Sequence, residues 1–530
     1  MNNQVLDEML NVSIALSTEK DTAKLLESIL LAAKHLSNAD GGTIYSVNDN
    51  KELIFDTLIN DSLKLHWGGS TGEPIQFEPI PMFENGQVNA HAIVAYAAAN
   101  NEVINIDDVY ESSEFDVEKA RRLDKEHDYR TKSVLTIPMI NHEGDVNGVL
   151  QLINAQDGSG IIPFSPTVQR SVLALASLAS VALTNRQLID AMETLFQSFT
   201  QLIAKAIDEK SPYTGGHCRR VPELTMMIAE AVHRHDEGPL ADFKMSDADR
   251  HELNLAGWIH DCGKVATPEY IMDKSKKLET IFDRIELVKT RFEIAKRDAE
   301  IEYYKKLANA DGAAEQTALK EALDATLTQL EDDLTFVTNA NTGGEFMDAS
   351  DQERLENIGR SLTLNVDGDT TALLSEDEIY NLRTARGTLN NEERDIINRH
   401  MDITVEMLES LPFPKHLQRV PEFAGGHHEK MDGSGYPKGL TRDQMSIPAR
   451  MMAIADIFEA LTASDRPYKE GKKLSECLTI MGRMKLGDHI DPDLFEVFVK
   501  QKVHLSYAEK FLKPEQIDDL PLEEIPGFAS

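Results

Sequence analysis

Residues 427–437 read His-His-Glu-Lys-Met-Asp-Gly-Ser-Gly-Tyr-Pro, and His-Asp-Cys-Gly-Lys stands at 260–264. Each segment sets imidazole beside carboxylate, the donor mixture that a hydrolytic metal site requires. The first also carries Gly433 and Gly435, which let a ligand approach the backbone closely. Three further residues have settings that suit the same chemistry. His217 follows Thr214-Gly-Gly and opens a helical pattern through Val221 and Leu224. His400 lies in Ile396-Ile-Asn-Arg-His-Met-Asp-Ile, also helical by pattern. Asp456 sits in Arg450-Met-Met-Ala-Ile-Ala-Asp-Ile-Phe-Glu-Ala-Leu, an almost wholly apolar helix where a carboxylate needs a cation. Taken singly, His217 or His400 reads as a structural histidine. Together, His217, His260, Asp261, His400, His427, His428 and Asp456 read as the donors of a two-metal centre. Such a centre, with its ions about 3.5–4 Å apart, suits cleavage of a phosphodiester. Lys264, one turn beyond Asp261, could meet a phosphate oxygen. Arg466 and Lys469 could hold a second phosphate, the arginine through a bidentate contact.

Composition bounds the partners. The 530 residues call for two or three domains. A net charge of −36 argues against a long nucleic acid, whose backbone is held by excess Lys and Arg. A small anionic nucleotide, held by metals and a few local cations, remains compatible. Three cysteines, Cys218, Cys262 and Cys477, build no disulfide framework and fit a reducing compartment. No signal peptide is expected at Met1-Asn-Asn-Gln-Val-Leu-Asp-Glu-Met-Leu. The apolar run Val172 to Leu183 is read as too short to span a bilayer. The chain is therefore expected in the cytoplasm, without membrane insertion.

The N-terminal third mixes helix and strand signals. Leu25 to Leu36 has helical spacing, and four strand-like runs span 42–47, 53–58, 133–139 and 146–153. Turn signals at Asn48-Asp49-Asn50 and His142-Glu143-Gly144-Asp145 separate them. This predicts an α/β domain with an antiparallel sheet. Three segments, Ser133-Val-Leu-Thr-Ile-Pro-Met, Gly148-Val-Leu-Gln-Leu-Ile-Asn and Ile162-Pro-Phe-Ser, resemble a GAF domain over roughly 10–185. That resemblance implies a sensor with a small, unknown ligand. Asn154 is followed by Ala155, so the fuller signature of cyclic-nucleotide GAF domains is not evident.

Val181, Leu188, Leu195 and Leu202 recur every seven residues, with Asn185, Met192 and Phe199 at the alternate positions. This predicts a coiled-coil seam, and the polar Asn185 favours a parallel homodimer. Farther on, Ile281, Ile285, Val288 and Phe292 form one stripe, and Leu319, Leu323, Leu327 and Leu330 a second. Asn309-Ala-Asp-Gly312 between them predicts a helical hairpin, followed by a polar loop at 338–350.

The segments 260–264 and 427–437, with Ala455-Asp-Ile-Phe-Glu-Ala-Leu461, resemble an HD-GYP domain of the HD phosphohydrolase superfamily over 195–278 and 388–505. The resemblance implies an all-helical enzyme that hydrolyses cyclic di-GMP to the linear dinucleotide and, in some members, to GMP. It implies two divalent metal ions, usually iron or manganese. Asp261 would bridge them, with His217, His260 and Asp456 on one side and His400, His427 and His428 on the other. Asp261 and Lys264 are the expected catalytic residues. Lys264, Gly433, Gly435, Tyr436, Pro437, Arg466 and Lys469 are expected at the substrate. Tyr213 stands where some relatives have a third-metal glutamate, so two metals are expected. Glu459 stands where relatives often have aspartate, which could move its contacts to the substrate or to a ligand. His260 and His400 are 140 positions apart, far more than is usual in the family.

The expected architecture is a multidomain α+β chain. A GAF-like sensor spans 1–185 and a coiled-coil linker helix 186–205. The all-α HD-GYP domain spans 206–280 and 388–505, with an inserted helical hairpin and loop at 281–387 and a C-terminal tail at 506–530. Two alternatives stand beside the cyclic di-GMP reading. One is another cyclic dinucleotide such as cyclic GMP-AMP. The other is a metal-stabilised interaction module, whose usual sign, a lost ligand, is absent.

Overall fold

The computed structural model describes residue 14 and residues 21–71, 73–112, 115, 118–210, 216–344, 346–366, 369–464 and 471–528. The expected Tyr213, Arg466 and Lys469 lie outside them. The chain divides into two units, Met1–Phe196 and Gln197–Ser530.

In the first unit Asp21 caps the helix Thr22–Ser37 through the amides of Ala23 and Lys24. The strands are β1 (Ala39–Val47), β2 (Glu52–Asn60), β3 (Leu65–Gly68), β4 (Ile80–Pro81), β5 (Phe83–Glu84), β6 (Gln87–Val88), β7 (Ile104–Ile106), β8 (Val134–Ile140), β9 (Val146–Asp157) and β10 (Gly160–Ile162). The main sheet runs β3-β2-β1-β9-β8-β7 and every pairing is antiparallel, with β4 on β2 and β10 on β9. The two turn signals hold. The Lys51 amide donates to the Asn48 carbonyl, and that of Gly144 to Asn141. One face of the sheet packs Ile44, Leu135, Ile137 and Leu152 against Leu26, Ile29 and Leu30 of the first helix, and against Val172, Leu175, Ala176 and Ala179. Each of the Ile, Leu and Val side chains contributes about 1.5–3 kcal/mol by leaving water.

Those last four residues belong to one helix of 45 residues, Pro166–Lys210. The run Val172 to Leu183 is thus the start of something longer. By length and composition this helix is apolar enough to cross a membrane, although Val172, Leu175, Ala176 and Ala179 lie in the sheet core. Beyond that core the predicted seam is bare, with Leu188, Met192, Leu195, Phe199 and Leu202 all exposed.

The second unit is mainly helical. Its first half holds the helices His217–Arg234 and Asp247–Ile259, the latter started by a Ser246–Asp249 capping box. A 3-10 turn, Cys262–Ala266, follows. Its second half holds Asn391–Asn398, His400–Glu409, Val420–Gly425, Ile447–Thr462, Leu474–Leu486, Pro492–Lys500 and Val503–Phe511. Residues 507–528 are packed rather than trailing. Tyr507 and Ile525 are buried, and Gln516 Nε2 donates to the carbonyl oxygens of Thr462 and Lys472.

The insertion is more than a hairpin and a loop. The hairpin is present as Ile285–Leu307 and Ala313–Asn341, but Ile281 lies before the first helix and is fully exposed. After it come the helix Ala349–Ser361, a β-hairpin of β11 (Thr363–Val366) and β12 (Asp369–Ala372), and the helix Glu376–Leu382. Val288, Phe292, Leu330, Val337, Leu355, Leu373 and Leu382 make a core of their own. The short apolar runs at 355–364 and 373–382 supply half of it, and the stripe pattern over 281–330 does not reveal them. Where the insertion leaves and rejoins, Lys274 Nζ lies 2.7 and 2.8 Å from the Glu393 carboxylate oxygens. The Thr388 hydroxyl donates to the Lys274 carbonyl at 2.9 Å.

Candidate metal centre

Five helix ends and one mid-helix position deliver the seven expected donors. His217 opens its helix at a left-handed Gly216, whose φ is 99°. His260 closes Asp247–Ile259, and Asp261 starts the 3-10 turn, so the helix stops four residues before Gly263. His400 begins His400–Glu409, and His427 and His428 follow the end of Val420–Gly425. Asp456 projects from the middle of Ile447–Thr462.

Gly263 explains how the two halves meet. A Cβ there would lie 2.0 Å from the His400 carbonyl oxygen and 2.6 Å from the Thr404 amide. The Gly263 amide instead donates to the Thr404 hydroxyl at 2.9 Å. The glycine of His-Asp-Cys-Gly-Lys thus permits contact between the chain before the insertion and the chain after it.

Asp261, 1% exposed, is the hub. Its Oδ2 lies 3.2 Å from His217 Nε2 and 3.3 Å from His260 Nε2. Its Oδ1 lies 3.3 Å from His400 Nε2 and 4.0 Å from His427 Nε2. Asp456 Oδ1 joins the first side, 3.3 Å from His217 Nε2 and 3.9 Å from His260 Nε2. His428 completes the second side, where His400, His427, His428 and Asp261 offer donor atoms within 4.8 Å of one another.

Four of the five imidazoles are fixed from behind. The Nδ1 of His260 faces the Gly257 carbonyl at 2.7 Å, that of His400 the Ile397 carbonyl at 2.5 Å, and that of His427 the Ala424 carbonyl at 2.6 Å. A carbonyl only accepts, so Nδ1 carries the proton and Nε2 presents its lone pair inward. His217 is held differently, by Glu459 Oε2 at 2.5 Å from its Nδ1, while Glu459 Oε1 accepts from Arg220 Nε at 2.8 Å.

This donor set fits divalent metal. The Nε2 atoms of His260, His400 and His427 and Asp261 Oδ1 are buried without a hydrogen-bond partner among the described residues. Four such atoms converging on one space would be costly in a site meant to stay without a cation. For Asp261, His427 and His428 the electrostatics agree, whereas the carboxylates around His217 overcome its burial and hold its imidazole well above the usual value. Burial opposes ionisation of Asp261, but Lys264 and His260 outweigh it and hold the carboxyl well below its usual range. Burial also pushes His427 well below the imidazole value and His428 to about 4, leaving both neutral as ligands must be. Burial likewise opposes the charge on Glu459, yet His217 and Arg220 hold it at about 2.

Lys264 Nζ lies 2.5 Å from Asp261 Oδ2 and stays partly open to solvent. In the loop after His428, the Tyr436 ring stacks on the His428 ring at 4.9 Å and 18°. A Cβ on Gly435 would lie 2.4 Å from the Lys430 amide, and Gly433 has a φ of 79°. Pro437 follows through a cis peptide bond. Buried Glu429 ties the loop by accepting from the Lys438 amide at 2.7 Å and the Leu440 amide at 2.9 Å. Glu429 and Arg220 were not singled out from sequence. Glu429 adjoins the histidine pair, which was the available signal; Arg220 had none.

The GAF domain family matches residues 21–183, and the HD domain family matches residues 375–494. The chain carries a GAF domain and an HD domain. The HD match contains His400, His427, His428 and Asp456. His217, His260 and Asp261 precede it and join the cluster through the fold. Among curated relatives, the chain is 35% identical over 168 residues to 3'3'-cGAMP-specific phosphodiesterase 1 of Vibrio cholerae, covering 30% of this chain and 38% of that one. It is 39% identical over 114 residues to a cyclic di-GMP phosphodiesterase of Pseudomonas aeruginosa, covering 22% and 26%. It is 38% identical over 129 residues to a cyclic di-GMP phosphodiesterase of Thermotoga maritima, covering 24% and 34%. The chain thus spans less than two fifths of the length of each of these relatives.

In the GAF domain a cavity of about 130 Å³ is lined by Asn60, Trp67, Phe77, Asp124 and Tyr129. Asn154 of the resembling segment is structural there. Its Nδ2 donates to the Tyr129 hydroxyl and the Arg130 carbonyl, and its Oδ1 accepts from the Lys132 amide.

Proposed function

We propose that the second unit is a metal-dependent phosphodiesterase that hydrolyses cyclic di-GMP to the linear dinucleotide, with GMP a further product to be looked for in the same assay. The carrying observation is Asp261, whose two oxygens face two separate sets of imidazoles. His217, His260, Asp261 and Asp456 would hold one ion, and Asp261, His400, His427 and His428 the other. Nitrogen and carboxylate donors without thiolate suit iron or manganese. Such a pair supplies an activated water and offsets charge on the phosphate. The chain's own groups orient the substrate. Lys264, held beside Asp261, presents an ammonium to a phosphate oxygen. Gly433, Gly435, Tyr436 and Pro437 shape the pocket wall next to His428. Arg466 and Lys469 are assigned the second phosphate on sequence grounds.

The test is hydrolysis by protein purified with Mn²⁺ or Fe²⁺ under reducing conditions. No turnover of cyclic di-GMP by the wild type would sink the reading; turnover that disappears in Asp261→Asn supports it. A second substrate, 3'3'-cGAMP, is favoured by the name of the Vibrio relative, and side-by-side kcat/KM values decide between them. Convergence of all seven donors speaks against a purely structural module. The GAF domain, with its small cavity, would sense a small ligand. The bare seam from Leu188 to Leu202 would pair with a second copy as a parallel coiled coil. Three buried free cysteines suit a reducing cytoplasm.

A further inference from the structure

In a chain with 90 acidic and 54 basic residues, one cavity has the opposite character. It measures about 470 Å³ and lies where the insertion rejoins the HD domain. Tyr380, Arg383, Arg386, Asn390, Asn391 and Arg394 line it, and no carboxylate is among the lining residues. Arg383 has a carboxylate partner, Glu356, at 3.0 Å. Arg394 donates to the Arg386 carbonyl at 3.2 Å, and no acidic partner is seen for either of these two guanidinium groups among the described residues. Like charges gathered around one concavity repel unless an anion offsets them. Guanidinium forks match phosphate oxygens in pairs. Tyr380, 42% exposed, offers one aromatic face, and exposed Asn391 offers both a donor and an acceptor, while the side chain of buried Asn390 is engaged by the Glu393 amide and Asn381 Oδ1. The volume lies in the range of small-ligand sites.

We propose that this cavity binds a nucleoside monophosphate as an effector, with the phosphate on Arg386 and Arg394 and the base against Tyr380. Asn390 caps the helix Asn391–Asn398 by accepting from the Glu393 amide at 2.9 Å. At the other end of that helix the Ile397 carbonyl holds His400 Nδ1 at 2.5 Å. A ligand gripping Arg394 therefore bears on the segment that aims His400. The effect on His400 presupposes the metal-dependent reading above; the binding does not.

Calorimetric titration of the full chain with GMP, and separately with inorganic phosphate, tests this. Wild type and Asp261→Asn are expected to bind GMP with equal affinity. Arg386→Ala/Arg394→Ala should weaken GMP by about tenfold or more. Tyr380→Ala should weaken GMP while leaving phosphate unchanged. The arginines and Tyr380 are exposed, so these variants keep their fold, as circular dichroism would verify. No saturable binding to wild type overturns the proposal. So does binding lost in Asp261→Asn but kept in the arginine pair, or phosphate binding as tight as that of GMP. Inactivity toward cyclic dinucleotides with GMP binding intact would count against the phosphodiesterase alone.

Discussion

Glu459 Oε2 stands 2.5 Å from His217 Nδ1, so this imidazole is backed by a carboxylate where those of His260, His400 and His427 are backed by carbonyls. The acid does not reach the donor side of the cluster; it orients a donor from behind. Glu459→Gln keeps the shape and removes the charge that His217 and Arg220 share. Metal affinity should fall about 10–100-fold, as for other residues that support a ligand. Metal content after dialysis against graded chelator measures it, and an unchanged affinity would refute the role.

Gly263→Ala places a methyl group 2.0 Å from the His400 carbonyl oxygen. The His400 helix must retreat, at about 1–3 kcal/mol. Urea unfolding should show the loss of stability, and the variant should retain less metal than wild type. Full stability together with full metal content would show that the two segments do not need this contact.

Lys277 is 1% exposed, and its ammonium donates to the Leu382 carbonyl at 2.9 Å. Burial lowers its pKa from 10.5 to about 8. The unfolded chain then binds more protons between pH 8 and 10.5, so this group's contribution to stability rises with pH across that window. Below pH 8 the buried charge is a standing cost. Lys277→Met should therefore gain relative to wild type at pH 7 and lose that advantage by pH 10.5, a swing of up to about 3 kcal/mol. Urea midpoints of the two proteins at both pH values measure it; a pH-independent difference would contradict it.

Leu195 is 57% exposed in the bare seam. Leu195→Glu in a parallel dimer would bury facing charges and should yield monomers at micromolar concentration in sedimentation velocity. A wild type already monomeric under the same conditions would remove the dimer.

The sheet of the first unit was largely legible because its longest strands are bounded by turn chemistry. Asn48-Asp49-Asn50 and His142 to Asp145 bracket β1, β2, β8 and β9, whereas β4 to β7 are two or three residues long and carry no period. The donor cluster was legible for another reason. His260-Asp261, His427-His428 and Asp456 sit in surroundings that penalise them unless something pairs with them. What sequence could not show was which atoms stand behind the donors, since the Gly257, Ile397 and Ala424 carbonyls belong to no residue type. The insertion was half read. Its two long helices carry stripes, but the residues completing its core come from short segments at 355–382. Ile281 fitted the stripe and proved exposed because the helix starts four residues later.

The Lys274–Glu393 pair and the Thr388–Lys274 bond bring the two borders of the insertion to one spot. Seen from the helices that carry the histidines, more than a hundred residues therefore amount to a short splice. Lengthening, shortening or exchanging the pendant piece changes nothing that the histidines must span. The join works as a socket: an ancestor could acquire a new controlling element there without rebuilding its chemistry, and an engineer could fit another.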